Sequence, residues 1–224
     1  MCGRFALTLP TDAMAQLFRA TPANDLPPVP EYNVCPTTQI AVVDGARRLR
    51  PMRWGFVPTW YKTPNDGPLL INARAETIAD KPAFRAAVRA RRCLIPTDGF
   101  YEWQRDGAEK LPFFVTRRDG APLVMAGIWQ DWDRDGVQVT GCAIVTTAAN
   151  GPLAAIHDRV PVILDAEDWP LWLGEAGHGA ARLLHAGPAD RLQMWRVGVA
   201  VNSNRARGPE LPKPLVADEG PAQH

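Results

Sequence analysis

The 224-residue chain has only four cysteines, at 2, 35, 93 and 142, and no two of them share a CxxC spacing. Its four histidines, at 157, 178, 185 and 224, form no paired ligand motif. Neither a zinc site nor a disulfide framework is therefore expected, and no cofactor is called for. No apolar run approaches the roughly 18 residues that a membrane helix needs. The opening MCGRFALTLP lacks a basic segment followed by an apolar one, so no export signal is expected and the cytoplasm is the expected compartment. Internal repeats and low-complexity linkers are missing too, which makes one domain the default. The formal net charge is only +1, far from the basic excess by which proteins that bind nucleic acid through bulk charge are recognised.

What is present is ordinary in amount and uneven in placement. Hydrophobic residues at 46% and charged residues at 22% are globular proportions, which exclude a disordered, collagenous or coiled-coil chain. Residues 1–100 hold 13 basic and 8 acidic side chains, whereas residues 101–224 hold 12 and 16. Of the 25 basic residues 21 are arginine. Its planar fork suits phosphate and stacks on rings, although a GC-rich genome enriches arginine in the same way. Proline is frequent, at 22 residues, which favours strands and shaped loops over long helices.

A short helix is expected from Thr11 or Asp12, with Met14, Leu17 and Phe18 as its apolar stripe. The proline-rich stretch 21–38 reads as an extended loop, and the segments flanking Asp44-Gly45 read as a hairpin. In PLLINARAE, residues Ile71, Ala73 and Ala75 alternate with Asn72, Arg74 and Glu76, so one face of a strand is apolar and the other polar. A helix from Asp80 through Arg92 would face Phe84, Ala87 and Val88 inward. It would carry Arg85, Arg89 and Arg92 as a basic stripe, either a solvated face or a phosphate contact. From Cys93 to Thr147 strand-like segments are separated by Arg-Asp-Gly at 105–107, 118–120 and 134–136. We read all three as turns. Further helices are expected from Asp165, with Trp169 and Trp172 inward, and from His178 to His185, followed by a closing strand at 197–201.

Cys2 stands out, because removal of an initiator methionine before a small residue exposes a 1,2-aminothiol. Unperturbed, such an α-amine has a pKa of about 7.7–8.0 and a thiol one of about 8.5, so both would be partly reactive near neutral pH. An aldehyde would form a Schiff base with the amine, and the thiol would then close a thiazolidine. Attack on an acyl group, with the amine as base, is an alternative, and so is a small buried residue with no chemistry. Glu102, among Phe100, Tyr101 and Trp103, has an apolar setting of the kind that raises a carboxyl pKa, unless it points into water from a strand edge. His157 titrates near working pH, but a lone histidine is often structural. Asn72 and Arg74 share the polar face of their strand, and Arg159 could meet a phosphate or a carboxylate. Trp54 and Trp60 could stack on bases or belong to the core.

Eight short blocks in order, MCGRF, YNVCPT, RWGFVP, INARAET, RCLIPTDGFYEW, IVTTAA, IHDRVPVIL and VNSN, closely resemble the SOS-response-associated peptidase family of abasic-site processing proteins. The resemblance covers residues 1 to about 212 and leaves 213–224 as a frayed tail. It implies a single α+β domain with a curved, barrel-like mixed β core and a few peripheral helices. It implies, too, that Cys2, freed of Met1, crosslinks to the ring-opened aldehyde of an abasic site in single-stranded DNA, shielding the lesion during the SOS response. The chain would act as a monomer near the replicating nucleoid, without metal or membrane.

By the same resemblance Asn72 orients Cys2, Glu102 serves ring opening and proton transfer, and His157 assists the Schiff-base chemistry. Arg4, Arg74 and Arg159 would hold the phosphates beside the lesion, with Thr146 near the pocket; Trp60, from its own aromatic character, is expected to contact the DNA as well. A peptidase activity, beginning with removal of Met1, belongs to the same expectation. Cys35 before Pro36 departs from the pattern, where a small residue is expected. Two rival readings remain open on sequence grounds. One is an N-terminal-nucleophile amidohydrolase using Cys2, although the usual Gly-His-x-Arg block is missing, and the other is a non-catalytic binder of single-stranded DNA.

Overall fold

The structure is a computed structural model that describes residues 2–215; the tail expected at 213–224 lies outside the described residues from 216 onward. In chain order the first elements are β1 (Phe5–Leu7), α1 (Thr11–Phe18), β2 (Thr21–Pro22) and β3 (Glu31–Val34). Then come β4 (Gln39–Asp44), β5 (Arg48–Trp54), β6 (Asn72–Arg74), α2 (Arg85–Ala90) and β7 (Arg92–Thr97). Two hairpins follow, β8 (Gly99–Asp106) with β9 (Glu109–Arg117) and β10 (Leu123–Arg134) with β11 (Val137–Ala148). The chain ends with β12 (Arg159–Pro161), α3 (Trp169–Leu173) and β13 (Leu192–Arg196).

Strands β11, β10, β7, β4 and β5 pair in that order, and β5 pairs back onto β11 in parallel, Gly141 with Arg53 and Cys142 with Trp54. The ring closes as a five-stranded mixed barrel, as expected for the α+β class. Closure depends on Gly141: a Cβ there would lie 2.5 Å from the backbone oxygen of Gly55, so only glycine lets the two strands meet. Ile40, Ala41, Val42 and Val43 of β4 are all buried, the continuous apolar run of a strand covered on both faces. A second, antiparallel sheet, ordered β13-β9-β8-β1-β3, adds its own small core of Tyr101, Phe114, Val197 and Val201.

The turn chemistry read from the sequence recurs. At Asp44 the carboxylate accepts the backbone N–H groups of Ala46 and Arg48 at 3.0 and 3.1 Å, which fixes the β4–β5 hairpin. Asp135 and Gly136 take φ of 52° and 78° between β10 and β11, the left-handed pair of a tight hairpin.

Other expectations fail for identifiable reasons. The proline-rich stretch is not wholly loop, because β3 lies inside it and pairs with β1. In α1 the capping position is Pro10, no side chain caps the helix, and Leu17 is exposed. The helix expected over 80–92 is confined to α2, and Arg92 belongs to β7. Its guanidinium returns to the carbonyls of Val88 and Arg89, at 2.9 and 3.0 Å, and lies over the Trp172 ring. The basic stripe is thus broken by a cation closing a helix end. Residues 197–201 form no strand: Val199–Asn202 is a 3-10 turn. Val197 and Val201 are buried while Val199 is exposed, a helical spacing that a five-residue apolar run cannot reveal. The helix expected over 178–185 is a 3-10 turn, Ala180–Leu183.

Candidate active site

The site forms where the second sheet meets the barrel. β6 lies parallel to β11, with Asn72 beside Ile144 and Arg74 beside Thr146. Its position is fixed from within the core by Trp54, whose indole N–H donates to the Ile71 carbonyl at 3.1 Å and whose ring contacts Phe5. Trp54 is therefore core, not a surface for bases. β8 brings Glu102, and the turn after Gly151–Ala155 brings His157.

Cys2 is fully buried just ahead of β1. Its carbonyl accepts a hydrogen bond from Asn72 Nδ2 at 2.9 Å, so the asparagine orients the main chain that carries the thiol. Burial pushes the thiol pKa up, and the negative charge of Glu102 pushes it further. The Tyr101 N–H donates to the Arg4 carbonyl at 2.9 Å, which brings Glu102 of β8 alongside the segment that carries Cys2, and the raised pKa keeps the thiol protonated at rest. Glu102 is 2% exposed. Burial raises its carboxyl pKa to about 7, where it can both give and take a proton at neutral pH.

The His157 side chain is 28% exposed and its pKa is lowered, first by burial. Nδ1 accepts the backbone N–H of Arg159 at 2.9 Å, yet Asp158 Oδ1 also lies 2.8 Å from it. The amide needs the nitrogen's lone pair and the carboxylate needs a proton on it. The amide is fixed in the backbone, whereas Asp158 is 81% exposed and can turn away. The amide contact and the lowered pKa together favour the neutral imidazole, with its proton on Nε2.

The arginines differ in their freedom. Arg4 Nη1 donates to Asn33 Oδ1 at 2.8 Å and to the Val201 carbonyl at 3.0 Å, and the guanidinium lies 5.7 Å from the Trp103 ring. Asn33 is 2% exposed and also donates to the carbonyls of Ser203 and Ala206, so it ties Arg4 to the 201–206 segment. Arg159 is engaged bidentately by Glu76 at 2.9 and 2.8 Å and donates to the Thr146 carbonyl. Its guanidinium holds the Glu76 carboxyl at about 2. Arg74 is exposed on β6, with no ion pair among the described residues. Thr146 is fully buried. Trp60 is 54% exposed and meets Tyr61 edge-on at 6.4 Å; no contact among the described residues joins it to the groups around Cys2.

A cleft of about 370 Å³ opens beside Arg4, Glu102 and His157, with Trp103, Arg105, Lys110 and Asn202 completing its lining. The cleft cations Arg105 and Lys110 were not assigned from sequence, and neither were Asn33, Asn202 and Glu76. Asn33 and Asn202 lie within the YNVCPT and VNSN blocks, but nothing in either block says which side chain turns inward. Glu76 follows Arg74 in INARAET, and its partner is 83 residues away. A roomier groove of about 480 Å³ lies along Pro27, Pro28 and Pro36, with Cys35 at its side. There the thiol donates to the Asn33 carbonyl at 3.2 Å and burial raises its pKa, which makes it unreactive at rest. Among the described residues no cluster of His, Cys, Asp and Glu could hold a metal, and no helix is long and apolar enough to cross a membrane.

The family described as SOS response associated peptidase (SRAP) matches residues 1–204. The chain belongs to the SRAP family. Among SRAP relatives it is 36% identical to the abasic site processing protein YoqW of Bacillus subtilis, covering 94% of this chain and 98% of that protein. It is 34% identical to the abasic site processing protein YedK of Escherichia coli, over 96% and 100% of the two chains. A crystal structure of a Bacteroides thetaiotaomicron protein shares the fold, with a TM-score of 0.86 at 24% identity over 96% of this chain and all of that one.

Proposed function

We propose that this SRAP protein processes abasic sites in single-stranded DNA by covalent capture on Cys2 after Met1 is removed. The observation that carries the reading is the hydrogen bond from Asn72 to the Cys2 carbonyl beside Glu102, whose carboxyl is buried and titrates at about 7. An abasic sugar is mainly a closed hemiacetal. Opening it takes the proton from the C1′ hydroxyl and delivers one to the ring oxygen, which Glu102 can do in turn as base and acid. The α-amine of Cys2 then adds to the aldehyde and water leaves, giving the imine. The thiol adds to the imine carbon as its proton passes to the nitrogen, by way of Glu102 or His157, and the five-membered ring closes. One water is released in all.

Phosphate contacts from Arg4, Arg74 and Arg159 would supply affinity without reading sequence. Removal of Met1 at the same cluster is the peptidase part of the reading. The decisive experiment is an intact mass before and after mixing with an abasic oligonucleotide. Loss of Met1 followed by gain of one strand less one water is expected, and Cys2→Ala should give no adduct. Adduct formation by Cys2→Ala would refute the reading.

A further inference from the structure

The β8–β9 hairpin carries its charges in a way that folding alone does not favour. Arg105 and Lys110 stand directly opposite each other in the register, and the next pair, Asp106 and Glu109, also carries like charge. Successive pairs of an antiparallel ladder point to opposite faces. The cations therefore share one face and the carboxylates the other. Like charges directly opposite are destabilising, whereas one exchange of sign across the strands would give two favourable pairs.

Both cations are exposed and both line the cleft that holds Arg4, Glu102 and His157, while Asp106 and Glu109 do not. Among the described residues neither Arg105 nor Lys110 makes an ion pair or a side-chain hydrogen bond. Most other arginines near acids are engaged, as Arg47 is by Glu175, Arg48 by Asp44 and Arg117 by Asp119. The charge of Arg105 reaches the site itself, since it contributes to the lowered pKa of His157.

We propose that Arg105 and Lys110 form an anion subsite that binds a phosphate of the single strand as it leaves the cleft, beyond the groups that hold the lesion. The hairpin tolerates the opposed cations because a phosphate between them relieves the repulsion and accepts hydrogen bonds from both. This inference rests on single-stranded DNA being the substrate.

The test is Lys110→Glu, which places a carboxylate opposite Arg105 and so supports the hairpin while removing the subsite. Binding to abasic and intact single strands is measured in a Cys2→Ala background across a salt series, with Lys110→Arg and Arg105→Ala alongside. The expected result is about tenfold weaker binding for Lys110→Glu and a salt slope shallower by about 0.7. Lys110→Arg should keep the affinity, and the melting temperature of Lys110→Glu should not fall. Shortening the oligonucleotide on one side of the lesion should erase the difference and show which way the strand leaves. Unchanged affinity and slope in both Lys110→Glu and Arg105→Ala would overturn the subsite, provided that protein with Cys2 intact forms the adduct. If that protein forms no adduct, the covalent reading fails, and the same salt series on intact strands still decides the subsite.

Discussion

The barrel and the cleft are built from neighbouring strands, yet they treat buried polar atoms in opposite ways. In and around the barrel wall, Asp44 accepts from Arg48 and two backbone amides, and Gln130 accepts from Arg91 and donates to Val57. Trp129 Nε1 is an exception there. Around the site, Arg4 Nε at the cleft and Asn72 Oδ1, Thr146 Oγ1 and Arg159 Nε along β6, β11 and β12 are buried without a partner among the described residues. Each such group costs about 1–3 kcal/mol. The polar atoms just named in the barrel wall are mostly satisfied and these four are not, which costs the fold some of its own stability. The thiols repeat the contrast. Burial raises the pKa of Cys2, Cys93 and Cys142 alike, and a carboxylate acts on two of them; Asp44, opposite Cys93, is held by Arg48, whereas burial raises the carboxyl of Glu102, which acts on Cys2, to about 7.

If Glu102 carries the proton as proposed, removing its carboxyl should widen that contrast most. Glu102→Gln is expected to slow adduct formation by about 10³-fold while DNA binding changes little, and to abolish the rate inflection near pH 7. Equal losses of rate and binding would count against proton transfer. The same variant reports on stability. The folded carboxyl titrates at about 7 against an ordinary 4.5, so the folded state binds the proton more tightly. This contribution is complete below pH 4 and is lost as the pH rises through 7, a swing of about 3 kcal/mol. Thermal melts should show Glu102→Gln gaining on the parent chain between pH 4 and pH 8.

Asn72→Ala comes next in size. Without the hydrogen bond to Cys2 the amine and thiol lose their fixed orientation, and about 10² in crosslinking rate should go with it. Relief of the partnerless Oδ1 should keep the loss of stability small. On the barrel side the expected pattern inverts. Gly141→Ala pushes a Cβ against the Gly55 backbone and should cost about 1–3 kcal/mol in denaturant melts, with crosslinking per folded molecule retained. A Gly141→Ala protein of unchanged stability would show that the seam can open without penalty.

Those two regions were also unequally legible in the sequence. Hairpin turns announce themselves through local residues such as Asp44-Gly45 and Asp135-Gly136, and alternation along Asn72, Ala73 and Arg74 gave the polar face of β6. The closing pair β5–β11 joins segments about 90 residues apart, and nothing local in Gly141 says what it meets. Residues 197–201 read as a strand although Val199–Asn202 is a 3-10 turn, because five apolar residues carry no usable period. Cys2, Asn72, Glu102 and His157 could be named one by one from their motifs. The groups that hold Arg4 and Arg159 in place could not, since Asn33 and Glu76 matter only through partners 29 and 83 residues away.

Glu76 supplies the smallest expected effect and a sharp test of how the cleft is held in reserve. Its carboxylate occupies both amino groups of Arg159 that a phosphate would use. A phosphate must then either displace Glu76 or share the guanidinium with it, and repulsion between two anions opposes sharing. Glu76 is about half exposed, so the pair is screened and the opposition is weak. Glu76→Gln keeps a hydrogen-bond acceptor for Arg159 but removes the charge. Binding of single-stranded DNA should tighten by about two- to five-fold at low salt, and the gain should fade as salt rises. Weaker binding by Glu76→Gln would mean instead that the carboxylate is needed to aim Arg159, and that the ion pair belongs to the bound state as well as the free one.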